Sequence, residues 1–266
     1  MKIGPDVAAI TRISGSNPKT IIVRGRDLAG ELIGKIGFTE HVWLLLTGEL
    51  PDKRQQCILD ATLVAIAEHG LVPSVVAARM TLAAAPEAVQ GAVAAGLLGC
   101  GSVILGSAQD AGDLLTAVVA ADVDVAVGAH SVVTAYREQK RPIPGYGHPL
   151  HKDGDPRSHR LFALARELGA FGRHCEAAHA VERVVPEIVN RQLAINVSSA
   201  IPAVLLDVGY PLRALRGVPL LARTGSIIAH LLEEQASPIG FHMANAASAA
   251  ITYTGPKPGG FVADEN

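Results

Sequence analysis

Apolar residues recur along this chain at helical spacing in run after run, while alternating β-branched stretches are few, so the pattern predicts helices with strands a minor element at most. Thr39 stands as cap of a helix through HVWLLLTG, with Phe38 and Trp43 at the spacing of a hydrophobic staple and Gly48 as the stop. A second helix follows: Pro51 suits its first turn, the apolar positions of CILDATLVAIAEH continue it, and Gly70 ends it with His69 in the last turn. The segment from about Pro86 to Ala108 predicts a central apolar helix interrupted by glycines near GLLGCGS. Beyond it come DLLTAVVAADVDVAVGAHSVVTAYREQK, broken near Asp122, then PRSHRLFALAREL, HAVERVVPEIVNRQ, a helix through AIPAVLLDV capped by Asn196, and LLARTGSIIAHLLEEQ. The tail TYTGPKPGGFVADEN is turn-rich and expected at the surface. With no internal repeat and no low-complexity linker, a second domain is inserted rather than appended.

Composition narrows the class. Hydrophobic residues make up 49% and charged residues 18% of 266 positions, which excludes disorder for the bulk of the chain and allows one large or two unequal domains. A net charge of -2 leaves no basic footprint for nucleic acid and no polybasic membrane patch. Cys57, Cys100 and Cys175 are odd in number and widely spaced, so they form neither a disulfide framework nor a zinc signature, and a reducing cytoplasm suits them. The N-terminal MKIGPDVAAITRISGSNPK lacks the apolar core of a signal peptide, so export is not expected. Ala88 to Gln109 is uncharged and long enough to cross a bilayer, yet it carries five glycines, is dominated by Ala, and lacks aromatic or basic anchors at its flanks. A buried helix is expected there.

Candidate chemistry concentrates in RPIPGYGHPLHKDGDPRSHR, from Arg141 to Arg160. Two prolines and two glycines make a stiff loop with open backbone groups, and His148 stands at its end. Asp155 and Pro156 form an N-cap and first-turn pair, which puts Arg157 in a first turn where a cation opposes the helix dipole. An anion bound between Arg157 and that N-terminus would resolve the conflict; so would pairing with Asp153 or Asp155. Residues 137–173 hold eight Lys/Arg against four Asp/Glu in a chain of net charge -2, which also points to an anionic ligand. Arg223 shares a helical face with Leu220, Ile227 and Leu231, so its guanidinium faces inward and needs an anionic ligand, a structural salt bridge, or a route out to the surface. His69 is explained by helix capping alone. His174, Cys175 and His179 match no common metal motif, and no metal site is expected. GCGSVILG has the wrong glycine spacing for a dinucleotide fingerprint.

Taken together these segments resemble the citrate synthase family, and within it the short citryl-CoA lyases and the citrate-synthase-like module of ATP-citrate lyase. The resemblance runs from IIVRGRDLAGELIGKIGFTEHVWLLLTGELP through AEHGLVPSVVAARM and is sharpest at PIPGYGHPLHKDGDPR and ARTGSIIAHLLEEQ. It implies that Pro142, Ile143, Pro144, Gly145, Tyr146 and Gly147 cradle the adenine side of coenzyme A, with Lys152 near its acyl end. It makes His148 the histidine that hydrogen-bonds the keto oxygen of oxaloacetate or the tertiary alcohol of citryl-CoA, His69 the other substrate histidine, and Arg157 and Arg223 the grips on substrate carboxylates. Coenzyme A enters as a substrate, with no permanently bound cofactor, and the partner is a dicarboxylate or 2-oxo acid.

Three departures stand out. Leu105, in VILGSAQDA, occupies the place of the family histidine that polarises the thioester carbonyl; the ATP-citrate lyase module, reading GGALDA nearby, lacks it too, which tilts the resemblance toward the lyases. The family's NVD aspartate, which moves the α-proton of acetyl-CoA, is replaced in Asn196-Val197-Ser198, and serine without a base is a poor proton acceptor. The arginine that citrate synthases lend across the dimer is missing, since AASAAI precedes TYTGP. The resemblance therefore implies an enzyme cleaving or forming a C–C bond between acetyl-CoA and a 2-oxo acid such as oxaloacetate, with His148 and Ser198 as catalytic residues; a family enzyme with a different substrate or a non-catalytic coenzyme A-binding protein are the alternatives. The expected fold is all-α: a large domain of residues 1–106 and 213–266 and a small domain of 107–212, closing on a cleft between them to bring His148 and Arg157 toward His69 and Arg223. A homodimer or higher homo-oligomer completes the expectation.

Overall fold

The computed structural model describes residues 9–101, 103, 105–121, 124–147 and 154–260. Among them, short strands occupy only one corner and helices make the rest. The chain divides into two compact units, residues 1–65 with 107–218 and residues 66–106 with 219–266. These differ from the expected domains. The division after residue 106 coincides, the second falls at 218 instead of 212, and the N-terminal 65 residues group with the middle segment and not with the C-terminal one. The physical reason is a set of contacts on Tyr210 and its neighbours: Trp43 stands edge-on to the Tyr210 ring at 5.6 Å, and Gln55 Nε2 donates to the Val208 carbonyl at 3.0 Å.

The first unit opens with an antiparallel sheet of β1 (Ser14–Ser16), β2 (Ile21–Val23) and β3 (Arg26–Asp27), followed by a helical turn at Leu28–Leu32. α1 (Phe38–Thr47) closes a small core of Val23, Leu32 and Leu44 and stops at Gly48, whose φ of +91° no branched residue adopts readily. Its cap is Gly37, not Thr39: the Glu40 carboxylate accepts from the Gly37 N–H at 2.6 Å. Phe38 is exposed, so the expected staple does not form. α2 (Lys53–Ala67) starts from a reciprocal pair in which Asp52 accepts from the Gln55 N–H and Gln55 from the Asp52 N–H, and it ends before His69.

α5 (Ser107–Ala120), α6 (Val125–Glu138), α7 (Pro156–Glu167), α8 (Arg173–Val189) and α9 (Val197–Asp207) complete this unit, with the break before α6 and the Asp155 and Asn196 caps as the sequence predicts. α9 is its axis. It is buried from Ser199 to Leu205, and α5, α7 and α8 pack around it. A helix apolar on every side needs such a sheath.

In the second unit α3 (Pro73–Ala84) packs on α4 (Val89–Leu98) and α11 (Gly240–Ala250), and α10 (Gly217–Ala236) brings Ile227 and Leu231 to a core with Ala78, Leu82 and Ala92. The helix expected over Pro86–Ala108 is shorter, because α4 ends at Leu98 and the next helix begins at Ser107. Gly96 shows why this stretch is glycine-rich: a Cβ there would lie 2.7 Å from Ile227 Cδ1 and 2.8 Å from the Ser74 carbonyl. No helix among the described residues is long and apolar enough to cross a membrane.

Candidate active site

In the first unit the Pro/Gly loop is locked to the segment that begins α9. Tyr146 forms an antiparallel bridge with Ile195, the Gly147 N–H donates to the Ala194 carbonyl at 2.7 Å, and the Asn196 N–H donates to the Gly145 carbonyl at 3.0 Å. The Asn196 side chain works at both ends, its amide donating to the Gly147 carbonyl at 2.6 Å and its oxygen accepting from the Ser198 N–H at 2.8 Å. Gly145 has φ +85°, and a Cβ would come 2.5 Å from Ser199 Cβ and 2.9 Å from Ser199 N. Only glycine fits against the helix this closely. Ile143 and Tyr146 are buried. Burial drives the Tyr146 hydroxyl pKa upward, so it stays protonated and donates to the Ala178 carbonyl at 2.8 Å.

Asp155 joins this assembly to α7. Its fully buried carboxylate accepts from the Arg157 N–H at 3.0 Å, from Arg157 Nε at 2.9 Å and Nη2 at 2.8 Å, and from the Val197 N–H at 2.9 Å. Desolvation raises its pKa, but the Arg157 and Val197 donors outweigh that and hold the group below the ordinary aspartate value. Pairing with Asp155, one of the alternatives open in the sequence, therefore occurs. It does not exhaust Arg157, since a guanidinium has five N–H donors and this pair uses two. Ser198, half-buried at the second position of α9, lies one residue from Val197. Asp155 does not replace the missing aspartate as a base, because its oxygens are occupied and its proton affinity is lowered.

Beside the loop a groove of about 810 Å³ is lined by Arg137, Lys140 and Arg141, with Glu138 the one acidic residue among them, and by Pro142, Ile143, Tyr146, Val189 and Leu193. The Arg141 guanidinium sits over the Tyr136 ring at 4.2 Å. The local positive excess legible in the sequence thus collects at one edge of the loop. His148 and Lys152 lie outside the described residues.

The second unit brings His69 and Arg223 to one end of α2. Arg223 is 2% exposed on α10, and its Nη2 donates to the Ile66 carbonyl at 3.3 Å, so the inward orientation read from the sequence holds. His69 follows α2 in a turn whose next residue, Gly70, has φ +70°. The Glu68 carboxylate organises this turn: one oxygen accepts from the His69 and Gly70 N–H groups, and the other from Ser226 Oγ and from His230 Nε2 at 3.1 Å. Partial burial raises its pKa, but donation from Ser226, Gly70 and His230 prevails and brings it to about 2. Behind it, buried Arg79 pairs with Glu234 at 2.7 Å and Glu233 at 2.5 Å. Leu105 has φ +69°, a left-handed backbone uncommon for a branched side chain.

Glu68, Ser226 and His230 carry no sequence signal, because the bonds that join Glu68 to the other two span more than 150 residues. The cluster dismissed as a metal site is structural: His174 Nδ1 and the N–H groups of Gly172, His174 and Cys175 all bind Asp207, while His179 packs on Phe162 with ring centroids 4.6 Å apart. Among the described residues no group of His, Cys, Asp and Glu has a metal-holding arrangement.

The profile of the citrate synthase C-terminal domain matches residues 52–240. The chain belongs to the citrate synthase family. A solved citryl-CoA lyase from Hydrogenobacter thermophilus superposes with a TM-score of 0.85 and 32% identity, covering 95% of this chain and 97% of that one. ATP citrate lyase from Methanosaeta concilii, solved in complex with (3S)-citryl-CoA, has the same fold at TM-score 0.78 and 20% identity, over 96% of this chain and 43% of its own. The Bacillus subtilis citrate/2-methylcitrate synthase is 25% identical over 84% of this chain and 57% of its own length. The chain spans about half the length of the curated relatives it matches.

Proposed function

We propose that this chain cleaves citryl-CoA, or a closely related 3-hydroxyacyl-CoA, into acetyl-CoA and a 2-oxo acid. What carries the reading is the Pro142–Gly147 loop, fixed by three hydrogen bonds to the start of α9 and flanked by a groove with Arg137, Lys140 and Arg141, in a chain that matches a citryl-CoA lyase almost end to end. In this reading coenzyme A is a substrate, its nucleotide along the loop and its phosphates toward Arg137, Lys140 and Arg141, with Lys152 near the acyl end. His69, Arg157 and Arg223 hold the substrate carboxylates and the keto or alcohol oxygen together with His148. His148 accepts the alcohol proton as the C–C bond breaks. The bonding pair passes to the thioester enolate, which takes up a proton to become acetyl-CoA, while the alcohol carbon becomes the ketone of the 2-oxo acid. Ser198 with water, or backbone amides, supply the donor and proton that the enolate needs.

Ser198 and Leu105 offer the enolate neither a carboxylate nor an imidazole. Loss of a positioned acid or base costs about 10² to 10⁴ in rate, and because cleavage and synthesis pass through the same transition states it slows both. A homodimer is part of the proposal, supported by apolar side chains left exposed in the second unit, Leu98, Ile228, Leu232 and Phe241. A cytoplasmic setting is supported by the three free cysteines, of which Cys100 and Cys175 are buried.

Incubation with citryl-CoA, with released oxaloacetate read through malate dehydrogenase and NADH, tests the function. Equimolar oxaloacetate and acetyl-CoA are expected. Coenzyme A binding without turnover would move the assignment to a non-catalytic binding protein, and thiol release only with other acyl-CoA and 2-oxo acid pairs would change the substrate.

A further inference from the structure

Glu68 stands at the C-terminal end of α2, where a carboxylate opposes the helix dipole and a cation or glycine would serve better as a simple stop. It is nonetheless held as an anion by four donors. Two of them, the His69 and Gly70 N–H groups, belong to the turn that follows the helix. The other two, Ser226 and His230, belong to α10, three and seven residues after Arg223 and so on the same helical face. His230 Nε2 must carry the proton toward Glu68, because a carboxylate only accepts. Its Nδ1 faces Arg79 Nη1 at 3.5 Å and Glu233 Oε2 at 3.9 Å, which fixes the ring from behind. Together with the bond from Arg223 to the Ile66 carbonyl, the end of α2 is fastened to α10 at three successive places on one face.

We propose that Glu68 is a positioning residue for the C–C bond chemistry: its carboxylate ties the turn that presents His69 to the helix that carries Arg223, with Ser226 and His230 as its clamps. The inference rests on assigning His69 and Arg223 to the substrate, and it deepens that reading by naming what sets their relative position. The low pKa of Glu68 keeps the tie intact throughout the working pH range. Glutamine at 68 retains an acceptor for the two backbone N–H groups but presents an NH₂, which cannot accept, to Ser226 and His230.

The test uses the full chain with Glu68→Gln, Glu68→Ala and Ser226→Ala. Two readouts are taken: the His69 imidazole Cε1–H resonance, assigned by its loss in His69→Gln, and steady-state kinetics with citryl-CoA beside calorimetric coenzyme A affinity. The resonance is expected to move in all three variants. kcat/KM should fall about 10- to 100-fold in Glu68→Ala and less in Glu68→Gln, as for other residues that orient a substrate-binding group, while coenzyme A affinity is unchanged. An unmoved resonance with unchanged KM and kcat overturns the proposal. So does a parallel loss of activity, coenzyme A binding and melting temperature, which would make Glu68 merely structural. If the wild-type chain fails to cleave citryl-CoA, the functional reading fails, and the resonance still decides whether Glu68 holds His69.

Discussion

Asp155 determines what Arg157 can do. Two guanidinium N–H groups and two backbone N–H groups converge on its buried carboxylate, so the Arg157 guanidinium is held in one orientation with three of its N–H groups outside this pair. Removing one partner of a buried pair costs about 3 kcal/mol, and Asp155→Asn is expected to lower unfolding stability by that order in urea titration. The pH dependence has a definite sign. An unfolded aspartate titrates near about 3.9, and folded Asp155 lies below that, so its contribution is complete above that pH and is lost as pH falls through the folded value. Wild-type stability should therefore drop below about pH 4 along a limb that is shallower in Asp155→Asn. Glu68, Glu182, Asp207 and Glu234, also held low by their donors, add to that limb. The Asp155 cap was legible because capping is a local rule. The double role of its carboxylate was not, since Val197 lies 42 residues away. Glu68 stayed invisible for the same reason, its clamps on α10 being fixed by tertiary packing alone.

Helix starts and stops followed the sequence at Asp155, Asn196 and Gly48, where a polar cap or a left-handed glycine marks them. They failed where packing sets the limit. Thr39 has the chemistry of a cap, yet Glu40 reaching back to Gly37 starts α1 earlier. α3 had no clear signal because its buried residues are mostly small and one of them is Arg79, which periodicity reads as polar and which the structure pairs with Glu234. Gly96 inside α4 is a spacing element. Gly96→Ala would force a methyl against Ile227 and the Ser74 carbonyl, and such overpacking costs about 1 to 3 kcal/mol; thermal unfolding should register the loss. The Pro/Gly loop obeys the same logic against α9. Gly145→Val adds both a left-handed backbone penalty and a clash with Ser199, so the loop must separate from the helix.

Over the whole molecule, the helical class and the family were readable from motif order, because loop chemistry and buried arginines are written locally. The grouping of residues 1–65 with 107–218 was not, since it depends on contacts such as Trp43 with Tyr210 that have no sequence signature. The exposed apolar side chains of the second unit carry a prediction at this scale. Sedimentation velocity of the wild type should give a dimer or larger assembly, and Ile228→Glu with Leu232→Glu should shift it to monomer; a monomeric wild type would contradict the dimer.

The proposed function requires a coenzyme A nucleotide to seat on the Pro142–Gly147 loop where it meets α9. Calorimetric titration of coenzyme A into the wild type and into Gly145→Val measures this most directly. The predicted result is one site per chain in the wild type, with affinity weakened at least about tenfold in the variant, the equivalent of about 1.4 kcal/mol. No heat with the wild type, or equal affinity in both proteins, would contradict it.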